Sequence, residues 1–330
     1  MNILITGASG FIGSFLVEEA LSRGFSVWAA VRKTSSRKYL PDSRINFVEL
    51  DLDDTAGMER TLSGYDFDYV IHAAGATKCL NRQDFYRINT DGTVHLATAV
   101  RNTQKRLKRF VFISSLSVCG PLKEQEPHTE IADTDTPRPN TAYGESKLMA
   151  EERLRALDGF PCVILRPTGV YGPKERDYFM MAESIKSHVD FAVGYRRQDI
   201  TFIYVRDLVQ AAFLALTNGR DKAAYILSDG NTYSSRTFSD LLQREMGNPW
   251  VLHIKAPLWV LRLITLAGDA VGKIRGKITA LNSDKYQIMK QRNWKCDISP
   301  AVSELGYKPE YDLERGVTET VKWYKDNGWL

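Results

Sequence analysis

The 330-residue sequence predicts an α/β fold, a doubly wound parallel sheet with a smaller, discontinuous C-terminal lobe. Three observations predict it. Short apolar runs alternate with helix-patterned segments through the first half, the pattern of right-handed βαβ units. A glycine-rich turn, TGASGFIG (6–13), separates the first apolar run from the first helical pattern. After Pro167 the alternation breaks, and Gly, aromatics and charge become frequent.

The elements follow in order. NILIT (2–6) reads as a strand and FIGSFLVEEALSRG (11–24) as an amphipathic helix closed by Gly24. SVWAAV (26–31), INFVELD (45–51), YVIHAAG (69–75), FVFISS (110–115) and CVILRP (162–167) read as five more strands. Helices are expected between them, over 90–102 and 142–157 among others. ITFIYVRDLVQAAFLALTN (200–218) reads as a strand and helix returning to the main domain. The main domain is therefore expected over 1–167 plus 200–228, and the second lobe over 168–199 plus 229–330.

Composition excludes several classes. Hydrophobic residues make up 43% and charged residues 25%, ordinary for a soluble globular chain. A net charge of +4 and no Lys/Arg block with interleaved aromatics argue against nucleic acid as a partner. The four cysteines (79, 119, 162, 296) form no C-x-x-C pair and His is scarce, so no metal site is expected. Isolated cysteines fit a reducing, cytoplasmic setting as small buried residues. The opening MNILITG has too short an apolar run for a signal peptide. The most membrane-like stretch, 256–274, is interrupted by Arg262 and Asp269, which leave no uncharged run of 18 residues, so it is not expected to span a bilayer. It reads as a core helix pair of the second lobe. The alternative is a wall or lid of an apolar pocket that touches a membrane surface.

The glycine turn has a physical reading. Gly7 permits a tight turn off the first strand, Gly10 lets backbone N–H groups approach a pyrophosphate, and Gly13 lets the helix pack on the sheet. The pyrophosphate then rests at a positive helix N-terminus. This is a Rossmann-type dinucleotide site, with glycine spacing one residue wider than G-x-G-x-x-G.

The cofactor follows from residues 30–38, AVRKTSSRK. NAD-preferring folds end the second strand in an acid that accepts from the ribose 2′-hydroxyl. Val31 holds that place here, and Arg32 and Lys33 follow. A guanidinium fork beside a second cation suits a 2′-phosphate, so NADP(H) is expected to be preferred, with NAD(H) second. The alternative is a solvated basic loop, since Arg37 and Lys38 continue the charge.

TAYGESK places Tyr143 and Lys147 on one helical face. An ammonium near a phenol favours phenolate, so the pair can move a proton at an alcohol or carbonyl oxygen. The spacing recurs at Tyr286 and Lys290, but no strand-end serine precedes it, and that copy reads as a solvated helix face. Tyr143 instead follows FVFISS, whose Ser114 and Ser115 end a strand where parallel sheets bind ligands. A serine there can hydrogen-bond a developing oxyanion.

Together these residues resemble the extended short-chain dehydrogenase/reductases over nearly the whole chain. TGASGFIG, HAAG (72–75), RINTDGT (87–93), ISSLSVCGP, YGESK, LRPTGVYGP (165–173) and FIYVRDLVQA (202–211) resemble the family's motifs in order. The resemblance implies that Tyr143 is the acid/base, that Lys147 holds the nicotinamide ribose and lowers the Tyr pKa, and that Ser115 orients the substrate oxygen. It further implies cofactor contacts at Gly7, Gly10, Phe11, Ile12, Gly13, Arg32, Lys33, Asp51, Leu52, Ala73, Ala74, Gly75, Asn89, Tyr143, Lys147 and Pro167. A homodimer paired through the Tyr/Lys helix is implied in the same way.

The branch is read from what is absent. Nucleotide-sugar epimerases of the family carry an arginine just before the returning strand, where this chain has Ile200; Arg196 and Arg197 are out of register. Their second diphosphate arginine, followed by Gly-Asp, is not evident around 280–292. The C-terminal tail and AVRK resemble the 3β-hydroxysteroid dehydrogenase and dihydroflavonol reductase branch. The function expected is an alcohol/ketone oxidoreductase for a bulky, partly apolar small molecule, sterol-like or dihydroflavonol-like. The runner-up is a nucleotide-sugar epimerase or dehydratase of the UDP-glucose 4-epimerase kind. A non-catalytic NADP(H) sensor ranks third, because it has no need of Ser115, Tyr143 and Lys147.

Overall fold

A computed structural model describes residues 1–276, 279 and 282–330. The first half alternates β1 (Asn2–Thr6), α1 (Phe11–Ser22), β2 (Ser26–Val31), β3 (Asn46–Glu49), α2 (Thr55–Leu62) and β4 (Tyr69–His72). It continues through α3 (Arg82–Phe85), a π-helical turn over Tyr86–Asp91, α4 (Gly92–Thr103), β5 (Arg109–Ile113), α5 (Ala142–Arg155) and β6 (Cys162–Pro167). With β11 (Ala224–Leu227) these strands form a seven-stranded sheet in the order 11-6-5-4-1-2-3, every pair parallel. Strands β4 and β6 are buried along their whole length because helices cover both faces. One core includes α1, the other α2, α4 and α5. The order reverses between β1 and β4, and ligands of such sheets bind at the carboxyl ends beside that point.

In the second half the alternation breaks, and the returning strand is placed differently from the expectation. β7 (Gly169–Tyr171) follows β6 and pairs with β10 (Phe202–Tyr204) in a separate two-stranded sheet. The returning strand thus stays out of the main sheet, while the helix after it, α7 (Val205–Leu214), does pack with α1 in the core. The seventh strand of the main sheet is β11 (Ala224–Leu227), a four-residue apolar run too short to stand out in the sequence.

Between these lie α6 (Asp177–Lys186), β8 (Val189–Val193) and β9 (Asp199–Ile200). After β11 come β12 (Tyr233–Ser234), α8 (Thr237–Glu245), β13 (Leu252–Ala256), α9 (Leu258–Arg275), α10 (Ser283–Lys290) and α11 (Leu313–Asp326). The Tyr324 and Trp329 rings stack 5.6 Å apart and tie down the chain's end. No described helix is long and apolar enough to cross a membrane.

Stretch 256–274 is not the expected core helix pair. It supplies one continuous helix, α9, whose Leu261 and Thr265 are buried while Trp259, Leu263 and Ile274 are exposed. Of the cysteines, 119, 162 and 296 are buried, as small core residues should be, but Cys79 is only half-buried.

Candidate active site

The glycine turn meets the demands read from it. Gly7 has φ +68°, and a Cβ there would lie 2.7 Å from the backbone of Ala73 and Ala74 at the end of β4. A Cβ on Gly13 would lie 2.0 Å from the Gly7 carbonyl oxygen, so only glycine lets α1 sit this close to β1. Gly10 is the exposed N-cap of α1, with no side-chain cap and no acid in the first turn. The amides of that first turn, which includes Phe11 and Ile12, are therefore left for an anion.

A buried relay links this turn to the next. The Thr6 hydroxyl lies 2.6 Å from His72 Nδ1, and His72 Nε2 lies 2.8 Å from the Thr93 hydroxyl. Thr93 donates to the Asn89 carbonyl, so Nε2 carries the ring proton and Nδ1 accepts from Thr6. Burial, with the Lys147 charge in support, holds His72 down to about 3, and the ring stays neutral. Asn89 lies in the π-helical turn, a distortion common at functional sites. Its side chain exchanges hydrogen bonds with Ala76 N and O and donates to Ser146 Oγ at 3.0 Å. The sequence pointed to Asn89 but gave no sign of the His72 relay, because a lone buried histidine carries no spacing signal.

Ser115, Tyr143 and Lys147 come together at the carboxyl end of β5. The Ser115 hydroxyl faces the Tyr143 phenol and accepts from Ser117 N at 3.1 Å. Ser115 thus caps a short 3-10 turn and faces the tyrosine. Ser114 faces away and donates to Glu151 Oε1 at 2.6 Å. Thr141 caps α5 by accepting from Gly144 N, which fixes where Tyr143 starts the helix. Gly144 fits under Ser117, where a Cβ would lie 2.5 Å from that carbonyl oxygen.

Lys147 is 4% exposed and donates to the Ile113 carbonyl at 2.9 Å, with its ammonium 4.6 Å above the Phe112 ring. Burial lowers it to about 8, against the opposing pull of Glu151. Gly75 lies alongside: a Cβ there would sit 3.1 Å from Asn89 Oδ1 and 3.2 Å from Lys147 Nζ. One expectation fails. The phenol of Tyr143 lies above its ordinary value, because burial outweighs the opposing effect of Ser115 and Lys147 is turned toward Ile113.

Beneath Lys147 sits a buried ion pair, Glu151 with Arg166, 2.6 Å apart. Neither residue was singled out in the sequence, since both sat inside elements already explained by other motifs. Pro167 ends β6 fully buried, and the adjoining Thr168 hydroxyl is buried with no hydrogen-bond partner among the described residues.

Along the same carboxyl edge, toward the β3 side of the sheet, Arg32 and Lys33 are exposed just past β2 and pair with no acid among the described residues. Arg37 and Lys38 differ: they lie over the Phe47 and Tyr39 rings, 4.1 and 5.6 Å from the centroids. Asp51 is exposed and accepts from Asp53 N at 3.0 Å. Leu52 packs on Gly92, and its carbonyl accepts from the His95 ring at 2.9 Å. An uncapped helix N-terminus, an unpartnered buried hydroxyl, a buried ammonium and two unpaired cations form a donor set that fits an NAD-type dinucleotide. The residues that could hold it are those of the glycine turn, Ala73–Gly75, Asn89, Tyr143, Lys147, Pro167 and the Arg32 loop.

The second Tyr-x-x-x-Lys copy is surface structure. Tyr286 lies in α10, which buries no residue, between Arg262 at 5.5 Å and Lys290 at 5.7 Å from its ring. Arg197 and Arg292 are also engaged: Arg197 Nε donates to Asp199 at 2.8 Å, and Arg292 binds Glu126 at 2.8 Å and the Glu124 carbonyl. Positions 280 and 281, within the stretch searched for a second diphosphate arginine, lie outside the described residues. Among the described residues no cluster of three His, Cys, Asp or Glu side chains could hold a metal.

The chain resembles known proteins over nearly its whole length. A UDP-glucose 4-epimerase of Vibrio cholerae is 28% identical, over 97% of this chain and 94% of its own. A decarboxylating sterol-4-alpha-carboxylate 3-dehydrogenase of Dictyostelium discoideum is 25% identical, over 96% and 99%. Other relatives include dTDP-glucose 4,6-dehydratases and a ceramide reductase of Caulobacter vibrioides. The solved UDP-glucose 4-epimerase of Thermotoga maritima superposes with a TM-score of 0.79 at 22% identity, covering 99% of both chains. The NAD dependent epimerase/dehydratase family profile matches residues 3–228, and the chain belongs to that family of oxidoreductases, epimerases and dehydratases.

Proposed function

We propose that this chain is an NADP(H)-dependent oxidoreductase interconverting an alcohol and a ketone on a bulky, partly apolar substrate of sterol-like or similar lipid character. The observation that carries the reading is the state of the arginines near the second lobe. A sugar diphosphate needs free guanidinium groups, yet Arg197 and Arg292 are tied to Asp199 and Glu126 and Ile200 stands in the clamp position. The sterol dehydrogenase and ceramide reductase among the relatives support the same substrate class.

The bound cofactor supplies or accepts the hydride. In the reducing direction Tyr143 donates its proton to the substrate oxygen, and in the oxidising direction it accepts one. Ser115 hydrogen-bonds that oxygen beside the phenol. With the cofactor bound, Lys147 would hold the nicotinamide ribose and supply the positive charge that favours phenolate. Glu151 and Arg166 hold the floor beneath it. The division into a cofactor domain (1–167 plus 200–228) and a substrate lobe (168–199 plus 229–330) belongs to this proposal. So does a homodimer paired through α5, which sedimentation velocity tests.

A second reading, a nucleotide-sugar epimerase or dehydratase, is favoured by relatives of that kind that match over nearly the whole chain. One experiment separates the two. The purified protein is assayed with NADPH and NADH against hydroxysteroids and long-chain lipid ketones, and by thermal shift with UDP and UDP-glucose. Turnover of an apolar ketone with NADPH supports the proposal. Stabilisation by micromolar UDP-glucose without such turnover overturns it.

A further inference from the structure

The geometry points to a membrane-docking face on α9, which seats the protein on an anionic lipid surface beside the candidate active site. A helix of a water-soluble domain ordinarily turns its apolar stripe inward. Helix α9 does this with Leu261, Thr265 and Gly272, at i, i+4 and i+11, all buried. It also carries a second stripe on the opposite side. Trp259, Leu263, Leu266, Ala270 and Ile274 follow at i, i+4, i+7, i+11 and i+15, one face at 3.6 residues per turn. All five are exposed, Trp259 to 66%, Leu263 to 58% and Ile274 to 85%.

The apolar surface continues onto the β8–β13 ribbon that leads into α9. Phe191 pairs with Ile254 in parallel register, two residues from Leu252, and all three are exposed. At the ribbon's end a Cβ built on Gly194 would lie 3.9 Å from the side chain of Leu258, the first residue of α9. A continuous apolar face of this kind on a soluble chain marks an interaction surface.

Charge selects the occupant. Residues 250–276 contain Lys255, Arg262, Lys273 and Arg275 against the single acid Asp269, in a chain whose whole excess is +4. Basic residues flanking an apolar stripe with an exposed tryptophan suit a helix lying in an anionic bilayer interface. A second copy of the chain suits it less, because a two-fold contact sets each cation near its own equivalents.

The place of the face gives it meaning, which rests on the proposed apolar substrate. Asp269 of α9 accepts from Ser283 N at 3.3 Å, and Arg262 covers the Tyr286 ring of α10. Asp284 of α10 accepts from Ala142 N at 3.5 Å, one residue before Tyr143. The outward stripe is thus one helix away from the start of α5, and a substrate leaving the bilayer there enters beside the phenol.

The test is co-sedimentation of the full-length protein with phosphatidylcholine vesicles and with phosphatidylcholine–phosphatidylglycerol vesicles, without substrate. The protein is expected to sediment with the anionic vesicles, less so in high salt. Leu263→Asp combined with Ile274→Asp should weaken partitioning roughly tenfold or more while keeping the wild-type melting curve. Three results overturn the inference: no sedimentation with either vesicle, equal sedimentation of wild type and variant, or a wild-type dimer that the variant splits and that ignores vesicles. Vesicle binding is read apart from turnover, so it stands or falls separately from the substrate assignment.

Discussion

Ser114 and Ser115 are neighbours at the end of β5, yet they serve different parts of the molecule. Ser114 donates to the buried Glu151 carboxylate at 2.6 Å, whereas Ser115 faces the Tyr143 phenol. The pleat sends successive side chains to opposite sides, and the buried ion pair lies on one of them. Ser115→Ala and Tyr143→Phe should each lower turnover, by about 10²-fold or more for Tyr143→Phe, with little change in melting temperature or cofactor affinity. Ser114→Ala should show the reverse pattern, with a loss of about 1.5–3 kcal/mol in denaturant unfolding, because a hydrogen bond to a buried charge is lost. Equal kinetic losses at the two serines would remove the distinction.

The same carboxylate leads to Lys147. Burial lowers that ammonium to about 8, well below an exposed lysine, and Glu151 opposes the fall. Turnover that needs the charged form should therefore decline as pH rises through about 8. Stability should move the other way. The unfolded chain keeps its proton to higher pH than the folded one, so folding releases a proton between about 8 and the lysine's ordinary value of 10.5, and stability rises with pH across that window. Glu151→Gln removes the opposing charge and should shift the fall in turnover to lower pH, as a pH–rate profile shows. An unshifted profile would place the titration elsewhere.

Six of the seven strands of the main sheet were legible because a parallel sheet covered on both faces demands continuous apolar runs. The glycine turn was legible because Gly7 and Gly13 are positions where no Cβ fits. β11 was missed because four residues give no period. Helix α3 and the π-helical turn begin eight residues before the expected start at Thr90, since Ile88, Asn89 and Thr90 do not read as helix formers. The ion pair of Glu151 with Arg166 and the Thr6–His72–Thr93 relay depend on residues far apart in sequence. Stretch 256–274 was read as core because an apolar pattern does not say whether anything covers it; the structure leaves Trp259 and Ile274 exposed.

His72 makes the fold sensitive to acid. Its ring is neutral in the folded protein down to about 3, while an unfolded histidine gains a proton near 6.5. The unfolded state therefore binds the extra proton first. The stability owed to the neutral ring is complete above 6.5 and is lost progressively as pH falls toward about 3. A melting series over this range should fall more steeply for the wild type than for His72→Asn, which cannot titrate. Parallel curves would assign the acid sensitivity to other groups.

Gly75 tests whether Lys147 and Asn89 must both stand clear of the loop after β4. A methyl group at this position meets Asn89 Oδ1 at 3.1 Å and Lys147 Nζ at 3.2 Å, closer than ordinary packing allows. Gly75→Ala is expected to displace the ammonium and lower turnover at least tenfold, with a stability loss of about 1–3 kcal/mol from overpacking. Wild-type kinetics in a stable Gly75→Ala protein would show that the lysine has room to move.

Arg32 carries the proposed preference for NADP(H). It stands exposed one residue after Val31, which holds the place of the acid in NAD-preferring folds, and among the described residues it has no carboxylate partner, unlike Arg44 of the same loop, which binds Asp42 at 2.6 Å. Its backbone N–H is held by Ser35 Oγ at 3.0 Å, so the turn that presents it is ordered before any ligand arrives. Arg32→Ala should weaken NADPH binding by about tenfold or more, the scale of a charge-assisted hydrogen bond to phosphate, and leave NADH nearly unchanged. Titration of each cofactor by protein fluorescence reads both constants. Equal losses for the two would mean that Arg32 does not meet the 2′-phosphate, and the preference for NADP(H) would go with it.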